Sequence, residues 1–418
     1  MMRSRNSVSA SAERAFQDVE YLSAVNSRLA GTEGDRRSID YVARTFRKSG
    51  LKVEFDEYEA PSFIENSTEL RILSPEEKTL KARAMLYTVP TPPGGVKGEV
   101  SYAGFGAQQD FQKADVRERI AVIRRAPDKD SWWNEISLAS KNGAKALVMV
   151  DNNEYIFTGT VETGFFTNER RFEEITPKPI PFVGTSRDDG TYLIELSRGT
   201  PVEISLKADV ILENRISKNV RGIIKGATKS KEKVMVTAHR DTTNTPGAND
   251  NGSGTAVLLE LSRILGRRRP KRIIELASLG AEEVYGQLGS TYYCKAHKQE
   301  LKTIKALVNV DMVAVGSQIK IITEGHWPDK SVRTTPWINK LLYRTAKQLG
   351  YRVEYGTCSL GTSDEGRFID AGVPAGWLWK SDDPFYHTME DTIDKINPND
   401  LKAVAEIVGT AILALANK

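Results

Sequence analysis

The sequence predicts an α/β protein, a central β-sheet with helices on both faces and a β-rich module inserted into it. From about residue 210 onward, apolar strands alternate with amphipathic helices, which is the pattern of such a sheet. Three of those strands end on a residue type that can bind metal, a placement expected at the carboxyl edge of an open α/β sheet. The stretch from 86 to 208 has a different texture, with short β-like pieces between breakers. Residues 1–85 and 209–418 therefore read as one discontinuous domain, and 86–208 as an insert. A chain of 418 residues fits that division.

Residues 12 to 50 read as two helices. Ile39, Val42, Ala43 and Phe46 recur at helical spacing, and Gly50 sits where a left-handed residue would end the second helix. Leu51, Val53 and Phe55 then alternate, so a strand follows. Pro90 to Gly95 is a breaker-rich junction that opens the insert. Within it Gly98 to Tyr102, Ile120 to Arg124 and Ala146 to Val150 read as strands, and Trp133 to Ser140 as a helix. Val234 to Ala238, Ile273 to Ala277 and Ala306 to Val310 are the clear strands of the main sheet. Val257, Leu258, Leu261 and Leu265 share one helix face. Thr335 and Pro336 read as cap and first turn of another helix, and Asn397 and Pro398 open the last.

Composition excludes several classes. Hydrophobic residues make up 39% and charged residues 27%, as a globular protein with a core requires. The 59 basic and 55 acidic residues nearly cancel, so no nucleic-acid partner is expected. Arg267 to Arg272 is a solvated connection broken by Pro270. No run reaches the roughly 18 apolar residues of a membrane span. The N-terminus lacks the apolar segment of a signal peptide, and two cysteines make no disulfide framework. These features favour a cytoplasmic protein without a membrane partner, or a secreted one whose leader has been trimmed; homo-oligomerisation stays open.

The chemistry is concentrated after position 238, where all four histidines lie. His239 follows one strand, Glu282 and Glu283 the next, and Asp311 the third, while Asp250 sits in a glycine-rich turn and His387 near the end. Each has an ordinary reading: Asp250 as a turn residue, Glu282 and Glu283 as a solvated turn. Asp311, however, is an acid inside the apolar run Val-Asn-Val-Asp-Met-Val, where it must be paired or bind a cation. Taken together these residues read as a metal site. Two imidazoles and three carboxylates suit two divalent ions, zinc first, with one carboxylate bridging. Glu282 and Glu283 are adjacent and point differently, so one can ligate while the other is general base. Asp241 can fix the tautomer of His239 from behind.

The motifs His239-x-Asp241, Gly247-Ala-Asn-Asp250-Asn-Gly, Gly280-Ala-Glu282-Glu283, Asn309-x-Asp311-Met312 and Tyr386-His387-Thr-x-x-Asp391 stand in the order found in the co-catalytic zinc exopeptidases. The chain resembles that family, which includes bacterial leucine aminopeptidases and glutamate carboxypeptidases. The resemblance implies a mixed central sheet and a bridging Asp250. It implies that His239 and Asp311 complete one ion, Glu283 and His387 the other. It further implies Glu282 as general base and Tyr386 as donor to the oxyanion. Val96 to Gly104, Lys141 to Val150 and Ile180 to Gly184 resemble a protease-associated domain. Glu365 departs from relatives, which carry an imidazole or aromatic there, so specificity does not carry over.

The expected activity is removal of N-terminal residues from peptides. A glutamate-type carboxypeptidase is the alternative, and would need Arg333, Arg352, Arg367 or Lys380 to grip a terminal carboxylate. Cyclase chemistry is disfavoured, and an inactive receptor-like relative would have lost ligands that this chain keeps.

Overall fold

The computed structural model describes residues 7–25, 27–126, 133–159, 179–284, 287–326 and 330–418. The chain forms two compact units, one of residues 1–60, 216–386 and 391–418, the other of residues 61–215 and 387–390. Two long strands, Lys52–Ser74 and Glu203–Ile224, contribute residues to both.

The first unit holds a mixed sheet. Its order is Ser331–Arg333, Ile319–His326, Ala375–Lys380, Ile304–Val310, Lys233–His239, Ile273–Leu279 and the end of Glu203–Ile224. The three strands at the centre, Ile304–Val310, Lys233–His239 and Ile273–Leu279, are parallel, with Val236 opposite both Val308 and Leu276. Antiparallel pairing closes the flanks. Both faces of these strands are apolar. Val234, Val236, Ile274, Leu276, Ala306 and Val308 face one core, which is completed by Val257, Leu261, Ile338 and Leu342 of two helices and Val404 and Val408 of the last. Met235, Ala277, Leu279 and Leu307 face the other, against Tyr293 and Phe368. The period-two alternation of a strand, buried on both sides, produces these two cores from one run of sequence.

The early helices are Ala12–Ser23, capped by Ser11, and Glu33–Lys48, capped by Thr32, each cap side chain accepting from the backbone N–H three residues on. Gly50 is left-handed at φ +88°, as expected after the second. The strand expected after Gly50 is Lys52–Ser74: Leu51 and Val53 pack toward the core, Phe55 is 39% exposed, and Asp56, Tyr58 and Ala60 are buried. Asp56 tolerates burial because it meets Arg221 and His297 at 3.3 and 3.0 Å. One local expectation needs correction, at Thr335. Thr335 makes no side-chain cap; its hydroxyl accepts from Ala375 N at 3.0 Å instead. Asn397 does cap the final helix, Pro398–Ala416.

In the second unit Val96–Tyr102, Ile120–Arg124, Ala146–Val150 and Phe182–Thr185 are parallel neighbours, edged by Ala82–Ala84 and the start of Glu203–Ile224. Helices Gln108–Lys113, Trp133–Lys141 and Arg187–Gly199 accompany them. No helix among the described residues is long and apolar enough to cross a membrane.

Candidate metal centre

The three central parallel strands end together, so the residues that follow them share one rim. His239 is the last residue of its strand and is 1% exposed. Its Nε2 lies 3.3 Å from Asp250 Oδ1 and 3.3 Å from Asp311 Oδ1, and its Nδ1 is 3.5 Å from Asp241 Oδ1. Two sets of side chains in the first unit bring ligand atoms within 4.8 Å of one another: His239, Asp250 and Asp311; His239, Glu282 and Glu283. His239 is common to both. The structure therefore brings five of the metal-type residues picked out in the sequence to one rim, while His387 belongs to the second unit.

The donor set fits divalent cations. Burial pulls the His239 imidazole toward neutrality, but the Asp311 charge and the carboxylates of Asp241 and Asp250 outweigh it and hold its pKa well above the ordinary range. Carboxylate oxygens converging on one buried nitrogen need positive charge between them, whether a proton or a metal. Two imidazoles with three carboxylates form the borderline-to-hard set that zinc accepts. Glu282 is half-buried in the same group, and burial with neighbouring Glu283, Asp364 and Asp311 raises its pKa well above the usual carboxylate range, against the pull of His239.

The loop bearing Asp250 is tightly built. Gly247 is left-handed at φ +58°, and a Cβ there would lie 2.1 Å from Thr242 Cγ2 and 2.4 Å from Asp250 O, so only glycine fits. Asp391 accepts from the backbone N–H of Asn249 and Asp250 at 2.7 and 3.0 Å. Burial nevertheless lifts its pKa to about 8. Asn251 donates to Val310 O at 3.0 Å and accepts from Met312 N at 3.3 Å, tying this loop to the two neighbours of Asp311. Asp241 Oδ2 accepts from Glu283 N at 3.0 Å, so the residue placed behind His239 also fixes the glutamate turn.

Two contributors escape a reading of the sequence. Arg28, fully buried, donates to the carbonyls of Leu22, Arg240, Pro246 and Gly247 at 2.6 to 2.9 Å. It grips both ends of the loop between His239 and Asp250, yet nothing in Asn-Ser-Arg-Leu-Ala marks it. Asp391 stands in a recognised motif, but its grip on the Asp250 loop is not visible there.

Other expectations are resolved residue by residue. Tyr386 is half-buried and packs on Met312, Ile322, Cys358, Trp377 and Trp379. Glu365 is fully buried, its Oε2 accepting from Asn309 Nδ2 at 3.1 Å; burial raises its pKa well above the usual range. Of the cations that a carboxypeptidase could use, Lys380 is buried and paired with Asp400 at 2.5 Å, and Arg333 is 82% exposed beside Glu324.

The profile of peptidase family M28 matches residues 219–412. The aminopeptidase YwaD of Bacillus subtilis (strain 168) is 29% identical over 97% of this chain and 85% of its own length. Among solved structures, a zinc aminopeptidase from Bacillus subtilis superposes with a TM-score of 0.78 at 28% identity, covering 98% of this chain and 96% of that one. An aminopeptidase from an Aneurinibacillus species gives 0.72 at 26% identity, covering 96% and 93%.

Proposed function

We propose that the chain, whose residues 219–412 match peptidase family M28, is a zinc aminopeptidase, a peptide hydrolase, in which the residues divide the work as follows. His239 and Asp311 would hold one ion and Glu283 and His387 a second, with Asp250 a ligand to both. The observation that carries this reading is the convergence of His239, Asp250, Asp311, Glu282 and Glu283 on one rim of the sheet. When bound, the ions polarise the scissile carbonyl and acidify the attacking water.

Glu282 is the general base. It lies with His239 and Glu283, apart from the group of His239, Asp250 and Asp311. Its raised pKa suits a carboxylate that must take a proton from water and later release it to the leaving amine. Asp241 orients His239. Tyr386, beside His387, donates to the oxyanion as it forms. The acids of the rim also offer partners to the free ammonium of a peptide N-terminus. Residues 86–208 are read as a protease-associated insert on the motifs given above.

The test pairs a substrate panel with one substitution. Amino-acid p-nitroanilides are hydrolysed and N-blocked dipeptides are not; the reverse would mean a carboxypeptidase. Glu282→Gln keeps its zinc and loses about 10²–10⁴-fold in kcat, the range of general-base catalysis. A variant with near-normal turnover would remove Glu282 from the role.

A further inference from the structure

We propose that Gln287 is a positioning residue for Glu282, holding its carboxylate where a base must stand. This rests on the assignment of Glu282 as general base. Gln287 is 5% exposed, and its amide is committed on both sides: Nε2 donates to Glu282 Oε1 at 3.0 Å and to Thr362 O at 2.6 Å. An amide nitrogen carries two N–H groups, and here each has one acceptor. The bond to Thr362 fixes the amide plane, and the fixed amide then fixes the glutamate.

The backbone of Gln287 is itself immobilised. It precedes the helix Leu288–Ala296 in the left-handed region, φ 49° and ψ 62°, a conformation that a residue with a Cβ adopts only when its surroundings impose it. Its N–H donates to Val284 O at 2.9 Å, and its carbonyl accepts from Thr291 N and Ser290 Oγ, both at 3.0 Å. A strained residue with its backbone N–H, carbonyl and amide nitrogen all bonded thus carries a buried donor to Glu282.

The need is physical. A glutamate side chain has three rotatable bonds, and Glu282 is surrounded by Glu283, Asp364 and Asp311, which repel it. His239 attracts it, but a charge attraction sets no fixed direction for the carboxylate, which a held hydrogen-bond donor does. A misplacement of about 1 Å in a catalytic group costs about 100-fold in rate. A neutral amide suits the task, since it orients a carboxylate without adding the full positive charge that a lysine would bring.

The experiment uses the zinc-loaded full chain and the variants Gln287→Met, Glu282→Gln and both together. Gln287→Met keeps the length and removes the donor; kcat falls about 10- to 100-fold, the scale of a hydrogen bond to a charged group, with KM within about twofold and zinc content unchanged. The double variant turns over at the rate of Glu282→Gln alone, because Gln287 acts only through that carboxylate. A general structural role would lower the double variant further and move KM or the melting temperature, and that result overturns the proposal. So does a Gln287→Met enzyme with wild-type kcat beside an impaired Glu282→Gln. If Glu282→Gln itself is fully active, the base assignment fails first and the positioning role with it. Should Gln287→Met not fold, Gln287→Leu, neutral and also without the amide donor, gives the same readings.

Discussion

The strand Lys233–His239 buries charge at both ends, and the two ends treat it differently. At its start, Lys233 meets Glu275 at 2.8 Å, and Glu275 also accepts from Arg221 at 2.8 Å and from Tyr293 at 2.9 Å. Asp56 and His297 complete that cluster, so cations and anions are matched. At its end, His239 faces Asp250 and Asp311, and Glu282 lies among Glu283, Asp364 and Asp311. The two clusters are about one strand apart and comparably buried. The matched one satisfies itself and stabilises the fold; the acid-rich one is complete only with cations. Burial of polar groups alone is therefore a poor guide to function, whereas an excess of one sign is a good one.

Substitution at each end should separate the two roles. Asp250→Asn at the acid-rich end should lower kcat/KM by about 10³-fold or more, and metal analysis should find both ions lost together. Loss of a single ion would break the contrast by removing the shared ligand. Glu275→Gln at the matched end leaves Lys233 and Arg221 short of a buried anion, at a cost of about 3–5 kcal/mol. The melting temperature should fall while kcat, measured well below it, stays within about twofold. A smaller effect follows from pH. Burial would raise the pKa of Glu275, but Lys233 and Arg221 overcome it and hold it at about 2. The stability it supplies is then complete above the ordinary glutamate range near 4.5 and is lost as pH falls from there toward 2. Denaturant titrations of wild type and Glu275→Gln should converge across that interval; curves that stay parallel would show the cluster to be electrostatically idle.

Much of this was legible beforehand. The central strands announce themselves because they are apolar on both faces, and the acids gathered at their rim because one such as Asp311 has no ordinary reason to follow Val-Asn-Val. What sequence could not give depends on partners far along the chain. Asp56 is buried in its strand because Arg221 and His297 pair with it. Thr335 looks like a cap and instead serves Ala375. Gln287 sits between unremarkable neighbours, and its meaning appears only when Thr362 supplies the second acceptor.

The reach of Arg28 bears on how the enzyme is made. The carbonyls at Arg240, Pro246 and Gly247 that it binds lie 212 to 219 residues downstream, and Asp391, which grips the same loop from the other side, comes 141 residues after Asp250. Arg28 is already made when His239 and Asp250 are added to the chain, whereas Asp391 is not, so the loop gains one of its two clamps early and the other only after a further 141 residues.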